Sequence, residues 1–136
     1  MKLEIKNNLD ELGKVRKSIR DFCFETKEFG LNDKRVDMIE LGIHEILVNI
    51  IRHAYKMESD QSIRITARLD SNQIIFELFD HGISFNFETV PPPQFDGSRE
   101  NGFGIWIASQ AFEKIEYIQN TNEENHTILT FTMGGE

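Results

Sequence analysis

The sequence predicts an α+β fold, a two-layer α/β sandwich in which helices cover one face of a mixed, mostly antiparallel sheet. The first observation is the order of elements that the apolar spacing indicates, β-α-α-β-β-loop-α-β-β. Helices grouped between runs of strands are typical of one sheet with a helical layer on one face. The second observation is size, because 136 residues with 39% hydrophobic and 28% charged side chains suit one domain with an ordinary core. We therefore expect residues 1–136 to form a single domain.

The first half of the chain predicts one strand followed by two helices. Residues 2–7 alternate between apolar and polar side chains, as a strand does. Asn8 and Asp10 are possible caps of the first helix, and Gly30 is its expected stop. The second helix begins near residues 32–33 and keeps an apolar stripe for about five turns. The stripes consist of Leu12, Val15, Ile19 and Phe22 in the first helix and Val36, Ile39, Ile43, Ile46, Leu47, Ile50 and Ala54 in the second.

The second half predicts two strands, a loop, a third helix and two closing strands. Residues 63–69 alternate as a half-buried strand does, and turn-forming residues at 70–72 follow it. Residues 74–79 form a near-continuous apolar run that stops at Asp80, which is typical of a central strand. The remaining elements are a loop at about 86–101, a helix at 102–114, and closing strands at 115–119 and 127–133.

Charge and composition exclude several classes of function. Asp and Glu outnumber Lys and Arg 23 to 15, and the net charge of −8 opposes direct binding to nucleic acid or anionic lipid. The chain has no run of about 18 apolar residues and no apolar signal core, so neither a membrane span nor a secretory signal is expected. The single cysteine, Cys23, excludes an internal disulfide and favours the reducing cytoplasm. An anionic small ligand therefore needs a local device, such as backbone N–H groups, a metal ion or one arginine.

The first candidate site lies on the second helix, where Glu45 and Asn49 are four residues apart and share one face. An amide oxygen is a hard, neutral ligand of the kind that Mg²⁺ prefers. A carboxylate one turn away can orient or deprotonate a hydroxyl group. The same spacing is also compatible with a solvated helix face that has no chemical function.

The second candidate site lies where the central strand ends. Asp80 closes the apolar run, and Gly82 follows at a sharp exit from the sheet. A carboxylate at the edge of the core needs hydrogen-bond donors, because burying it without partners is costly. The amino group of a purine is a suitable donor, and the apolar wall offers a surface for the ring. The alternative is a strand-ending aspartate in an ordinary turn.

The third candidate site opens the third helix, at Arg99, Gly102 and Gly104. Glycines at a helix N-terminus let backbone N–H groups approach phosphate closely, and the helix end favours negative charge. The alternative is a flexible loop followed by an ordinary helix start. Since a loop as long as 86–101 is unusual unless it is functional or disordered, the three sites together describe a nucleotide pocket with a lid.

On these motifs the sequence resembles the GHKL (Bergerat-fold) ATPases, and among them the anti-sigma factor serine-protein kinases of the RsbW and SpoIIAB type. The segment from Glu45 through Asn49 to Tyr55 is similar to the family's N box. Asp80-x-Gly82 is similar to its G1 box, and Gly102-x-Gly104 to its G2 box. The resemblance covers nearly the whole chain and implies the Bergerat ATP-binding fold with an ATP lid at about 86–101.

The resemblance also implies a role for each matching residue. Glu45 matches the general base, and Asn49 matches the residue that binds Mg²⁺. Asp80 matches the aspartate that receives the adenine amino group, and Thr127 matches a threonine near the adenine. Arg99 matches the basic lid residue that meets the γ-phosphate. The ATP-binding residues that the resemblance implies are Asn49, Asp80, Gly82, Arg99, Gly102, Gly104 and Thr127.

The function that the resemblance implies is that of an ATP-dependent serine-protein kinase in a partner-switching system. Such a protein phosphorylates a serine of a small STAS-type anti-anti-sigma protein and, in its other state, sequesters a sigma factor. A cytoplasmic homodimer without direct nucleic-acid contact is expected. Two alternatives stay open, a nucleotide-gated regulatory adaptor without kinase activity and a partner-switching kinase whose target is not a sigma factor. The presence of both Glu45 and Asn49 argues against the adaptor.

Overall fold

The structure is a computed structural model that describes residues 1–25, 31–54, 61–81, 103–119 and 124–133. Five strands and three α-helices are present in this part of the chain, in the order that the apolar spacing predicts. They are β1 (Lys2–Lys6), α1 (Leu12–Glu25), α2 (Asp33–Asn49), β2 (Ser62–Asp70), β3 (Gln73–Asp80), α3 (Phe103–Ala111), β4 (Lys114–Gln119) and β5 (Asn125–Thr132). A short 3-10 helix (Leu9–Glu11) precedes α1, and one π-helical turn (Ile50–Ala54) continues α2.

The five strands form one sheet in the order β1-β2-β3-β5-β4, and β3 is central, as its apolar run predicts. Every neighbouring pair is antiparallel, so the expected parallel component is absent among the strands described. The reason lies in the position of β5. Strands β3 and β4 run in the same direction, as a helical crossover through α3 requires. However, β5 lies between them and pairs with each in the opposite direction.

The helices cover the face of the sheet that carries Phe76 at its centre. The ring of Phe76 meets Phe22 of α1 edge-on at 6.2 Å and Phe112, just after α3, at 6.0 Å between centroids. Helix α2 supplies the middle of this layer, since its apolar stripe is fully buried from Val36 to Leu47. The described residues therefore share one core between the sheet and the three helices, which confirms the two-layer α+β arrangement.

The helix termini follow the capping residues that the sequence offers. The side chain of Asn8 accepts a hydrogen bond from the Asp10 N–H, and that of Asn32 accepts one from the Arg35 N–H. Both asparagines have the extended backbone of an N-cap, so two orphan N–H groups are satisfied. The expected stop at Gly30 lies outside the described residues. Among the residues described, no helix combines the length and apolar character needed to cross a membrane.

Two predicted boundaries, the end of α3 and the start of β5, differ from the structure by two or three residues. Helix α3 ends at Ala111 rather than at Lys114, because Glu113 already donates its N–H to Thr130 of the sheet at 3.0 Å and Lys114 begins β4. Strand β5 begins at Asn125, two residues before the predicted start. Its first two side chains are polar and look like a turn in sequence, yet they pair with the end of β3.

A charged staple joins α1 to α2. The buried carboxylate of Glu40 accepts hydrogen bonds from Arg16 Nε and Arg20 Nη1, each at 2.6 Å. Arg20 also reaches Asp37 at 2.7 Å. Burial acts to raise the pKa of Glu40, but the bonds from Arg20 and Arg16 outweigh it and hold that pKa below its usual range. The staple thus fixes the N-terminal half of α2 against α1.

Candidate functional site

The ends of β3 and β5 bring three polar side chains to the helix-covered face of the sheet. Side chains alternate along a strand, so Asp80 shares the face of Phe76. Asp80 pairs with Asn125 in the register of β3 and β5, and Thr127 lies one step further along the same face. Asp80, Asn125 and Thr127 are 1%, 3% and 0% exposed, respectively. We call these three residues the strand-end cluster.

The strand-end cluster is held together by a buried hydrogen bond. Asn125 Nδ2 donates to Asp80 Oδ1 at 3.0 Å. A buried carboxylate needs such donors, because leaving its charge without partners in the core would cost several kcal/mol by order of magnitude. The bond also fixes the orientation of the Asp80 carboxylate at the end of its strand.

Within the strand-end cluster, the hydroxyl of Thr127 is the polar group that suggests a ligand-binding site. Thr127 Oγ1 is fully buried and has no hydrogen-bond partner within the described part of the chain. A buried hydroxyl without a partner costs about 1–3 kcal/mol. A ligand beside Asp80 that offers a hydrogen-bonding atom to Thr127 would remove this cost.

Glu45 and Asn49 lie in the last turns of α2 and stay one turn apart on one helix face, as the sequence predicts. Both side chains are half-buried. Neither makes a side-chain hydrogen bond or ion pair to any residue that the structure describes. A carboxylate and an amide oxygen are therefore available side by side where α2 runs into its π-helical turn.

The structure covers only part of the predicted phosphate-binding segment. Gly104 is the second residue of α3, within the first turn, where backbone N–H groups have no helical partner. Gly82, Arg99, Gly102 and the predicted lid at 86–101 lie outside the described residues. The α2 residues and the strand-end cluster belong to elements that pack around one core, but no hydrogen bond links Glu45 or Asn49 to Asp80 or Thr127.

Asn125 is not among the residues that the sequence predicts for the site, because it falls in a polar stretch that predicts a turn. The signal that could have found it is the strand repeat, since Asn125 precedes Thr127 by two residues and so shares its face. His126, between them, points to the opposite face of the sheet. There its ring stacks on Phe79 at 4.3 Å, and its Nε2 lies 2.6 Å from Glu77 Oε2.

Three side chains stack on the opposite face of the sheet, behind the strand-end cluster. Arg64 of β2 places its guanidinium 4.2 Å from the centroid of the Phe79 ring, whose neighbour on the other side is His126. Phe79 directly precedes Asp80, and His126 directly follows Asn125. This row of three stacked side chains across β2, β3 and β5 therefore restrains the strand ends that carry the strand-end cluster.

Comparison with known proteins agrees with the fold. A family model described as the histidine kinase-like ATPase domain matches residues 5–131. A solved structure, the histidine kinase domain of the blue-light activated histidine kinase from Erythrobacter litoralis EL346, aligns with a TM-score of 0.54. The alignment covers 92% of this chain and 60% of that one at 14% sequence identity, a level that bears on the fold alone.

Curated relatives carry a more specific name. The serine-protein kinase RsbW of Bacillus mycoides (strain KBAB4) is 30% identical over 105 residues, which cover 71% of this chain and 62% of that protein. RsbW of Bacillus thuringiensis (strain Al Hakam) is 28% identical over 102 residues, which cover 69% and 61%. The chain thus spans less than two thirds of the length of these relatives. Because the family model matches nearly the whole chain, the protein belongs to the histidine kinase-like ATPase domain family, the GHKL family that its motifs resemble.

Proposed function

We propose that this protein is an ATP-dependent serine-protein kinase of a partner-switching system. The observation that carries the proposal is that a buried carboxylate, Asp80, and a buried hydroxyl, Thr127, lie on the same covered face at the ends of neighbouring strands, and that this hydroxyl has no partner among the described residues. The similarity to serine-protein kinases named RsbW supports the same activity. Residues 1–136 act as one ATP-binding kinase domain in this proposal.

The adenine of ATP binds at the strand-end cluster. Asp80 accepts a hydrogen bond from the exocyclic amino group, and Thr127 hydrogen-bonds to the neighbouring edge of the base. The phosphates extend toward α3, where Gly102 and Gly104 allow backbone N–H groups to approach them closely. Gly82 provides the turn after Asp80. Arg99, in the lid at about 86–101, meets the γ-phosphate.

Asn49 fits the role of magnesium ligand. Its amide oxygen is a hard, neutral donor on a half-buried side chain that has no other side-chain partner in the described part of α2 and its surroundings. A bound Mg²⁺ would neutralise negative charge on the phosphate oxygens. Asn49 holds its amide on the same helix face as Glu45, one turn away.

Glu45 fits the role of catalytic base. Phosphoryl transfer depends mainly on positioning and on charge neutralisation, so the protein must orient the incoming hydroxyl rather than form a covalent bond itself. The carboxylate of Glu45 orients the serine hydroxyl of the substrate protein and accepts its proton as the oxygen attacks phosphorus. The phosphoryl group passes from ATP to the serine oxygen, leaving ADP.

The partners are proposals of the same kind. The substrate is a small STAS-type anti-anti-sigma protein, and in its other state the kinase sequesters a sigma factor. A cytoplasmic homodimer is the proposed form. The net charge of −8 opposes direct binding to nucleic acid, so control of transcription would act through the sigma factor.

The test is a transfer assay read by intact mass. The purified protein is incubated with ATP, Mg²⁺ and each candidate anti-anti-sigma protein, and we expect one phosphoryl group on a serine of the cognate partner. The Asp80→Asn variant is run beside it and should transfer far less at limiting ATP. Tight ATP binding with no phosphorylation of any candidate would instead favour a nucleotide-gated adaptor.

A further inference from the structure

Asn125 stands beside the proposed adenine site with a feature that the family motifs do not explain. It is 3% exposed, lies opposite Asp80 in the register of β3 and β5, and donates its Nδ2 to Asp80 Oδ1 at 3.0 Å. The next residue on the same face, Thr127, has a fully buried hydroxyl without a partner in the described part of the chain. Two buried polar side chains of β5 thus lie on the covered face, one opposite Asp80 and the other one step further along the strand.

Adenine and guanine present different hydrogen-bonding groups to a carboxylate. Adenine presents one amino donor next to a ring-nitrogen acceptor, whereas guanine presents an N1–H and an adjacent amino group, two donors side by side. A carboxylate with both oxygens accessible binds two parallel donors in a bidentate manner. An aspartate that already accepts an amide bond on Oδ1, with its plane fixed, is poorly arranged for this mode.

We propose that Asn125 is a positioning residue that makes the site select adenine over guanine nucleotides. It occupies and orients one oxygen of Asp80, so that the carboxylate serves the single amino donor of adenine. The Thr127 hydroxyl then donates to the ring nitrogen of adenine beside that amino group. Guanine carries an N–H at the same ring position, so the hydroxyl would have to accept there instead of donating. This inference rests on the proposed function, because it assumes that the base of ATP binds at Asp80.

The experiment measures base selectivity by calorimetry with ADP and GDP in the presence of Mg²⁺. The variant Asn125→Leu keeps a similar volume and removes the donor, and Asn125→Ala removes the donor with a smaller side chain. Either variant removes the amide that fixes the plane of the Asp80 carboxylate, so the bond from the adenine amino group should weaken and ADP should bind about tenfold more weakly. GDP should bind equally well or better, so the preference for ADP narrows by about tenfold or more.

The matched control is Asn72→Ala. Asn72, just before β3, joins the opposite end of these strands, where its Nδ2 donates at 3.4 Å to the carbonyl of Met133, just after β5. This control should lose some stability while keeping the ADP preference of the wild type. Thermal unfolding shows which variants are folded. If Asn125→Leu does not fold, Asn125→Ala provides the test of selectivity.

The outcomes separate this inference from the proposed function. Wild-type protein that binds ADP and GDP equally, or neither, contradicts the adenine site itself. A wild type that prefers ADP, with folded Asn125 variants that keep the same ratio, overturns the role of Asn125 alone. A fall in affinity for both nucleotides by the same factor also overturns it, because a merely structural role would have that effect.

Discussion

Polar atoms occupy positions on the covered face of the sheet where apolar side chains would otherwise pack. Asp80 and Thr127 follow Phe76 and Leu129 toward the ends of β3 and β5, and both are buried. Glu45 and Asn49 stay half-buried in the last turns of α2 without side-chain partners among the described residues. Buried groups of this kind persist at a net cost in stability, which is expected where a ligand completes the hydrogen bonds.

Replacing the proposed base should separate binding from transfer. Glu45→Ala removes the carboxylate that accepts the serine proton but leaves Asp80 and Thr127 in place. We expect ATP affinity within about threefold of the wild type, and transfer to the partner slowed by at least about a hundredfold. Calorimetry gives the affinity, and intact mass over time gives the transfer rate. Normal phosphorylation by Glu45→Ala would show that another group accepts the proton.

The thiol of Cys23 should make stability fall at high pH. Burial raises the pKa of Cys23 to about 12, whereas the thiol of an unfolded chain has a value of 9.0. Below the unfolded value both states hold the proton, so the thiol adds no pH dependence there. Between the two values only the unfolded state ionises, and stability falls by up to about 1.4 kcal/mol per pH unit.

The comparison variant for Cys23 is Cys23→Ala. Urea unfolding across this alkaline range should give a shallower fall in the free energy of unfolding for Cys23→Ala than for the wild type. Other groups titrate in the same range in both proteins, so the difference between the two curves isolates the thiol. Two parallel curves would mean that the thiol ionises as readily in the folded protein as in the unfolded chain.

Among the elements, the staple between α1 and α2 is asymmetric. Glu40 is 6% exposed, whereas the side chains of Arg16 and Arg20 are 55% and 35% exposed. Removing both arginines leaves the buried Glu40 carboxylate without its partners, and we expect Arg16→Met with Arg20→Met to cost clearly more stability near neutral pH than the loss of Glu40 itself. Glu40→Met leaves two arginines that can turn to solvent, and should cost about 1 kcal/mol or less.

The pH dependence of the staple follows from the lowered pKa of Glu40. The contribution of Glu40 to the free energy of unfolding is present above its unfolded pKa of 4.5 and is lost as pH falls through its lower folded pKa. In the double arginine variant the Glu40 carboxyl can protonate instead. The difference in unfolding free energy between this variant and the wild type should therefore become smaller below the folded pKa of wild-type Glu40. Urea unfolding near neutral pH and in acid measures both. A larger loss from Glu40→Met than from the arginine pair would reverse the proposed asymmetry.

Helix α2 packs against the end of α3 at a glycine where an added Cβ would be crowded. A Cβ at Gly42 would lie 3.0 Å from Phe112 Cε2 and 3.3 Å from the Ala111 Cβ, whereas a Cβ at Gly13 of α1 would meet no atom within 4 Å. Gly13→Ala should therefore stabilise the protein by about 0.5–1 kcal/mol through helix propensity. Gly42→Ala should instead destabilise it by about 1 kcal/mol, because the Phe112 ring and α3 must shift.

Urea unfolding of the two glycine variants measures the contrast. The Gly42 variant should also bind ATP more weakly, because a shifted α3 moves the proposed phosphate-binding turn at Gly104. Equal stabilisation by both alanines would mean that the two helices can separate without loss.

For the whole molecule, nucleotide binding should stabilise the fold, since the proposed site draws on β3, β5, α2 and α3. Ligand at 100 times its dissociation constant adds about 2.7 kcal/mol to the free energy of unfolding. We expect ATP with Mg²⁺ to raise the melting temperature of the wild type, and Asp80→Asn to lose most of that rise. Glu77→Gln, on the opposite face of the same strand, should keep it. A full rise with Asp80→Asn would contradict the adenine assignment.

Most of the fold follows from local patterns in the sequence. The repeat of apolar residues in α2 and the unbroken run in β3 predict a long helix and a central strand, and both are confirmed. The insertion of β5 between β3 and β4 could not be read in this way. It depends on contacts between residues far apart in the chain, which the spacing of neighbours does not encode.

The elements that carry the candidate site residues could also be predicted from local patterns, whereas the roles of these residues stay predictions. Asp80, Glu45 and Asn49 carry local signals, a strand end and a helical spacing, and the structure puts them on the expected elements. The local signals of Asn125 and Glu40 are misleading. Asn125 lies in a turn-like polar stretch and Glu40 beside an apolar stripe, and polar residues in such places are usually exposed. Each is buried because of a distant partner, Asp80 for one and two arginines of α1 for the other.

The placement of β5 also determines when β4 can pair and when Asp80 can meet Asn125 during synthesis. A ribosome delivers β4 before β5, yet β4 hydrogen-bonds only to β5 among the described strands. Until the residues up to Thr132 leave the exit tunnel, β4 has no neighbour in the sheet and Asp80 has not met Asn125. A nascent chain thus lacks the proposed adenine site until translation has passed its last described strand, so this site could receive ATP only once the sheet is complete.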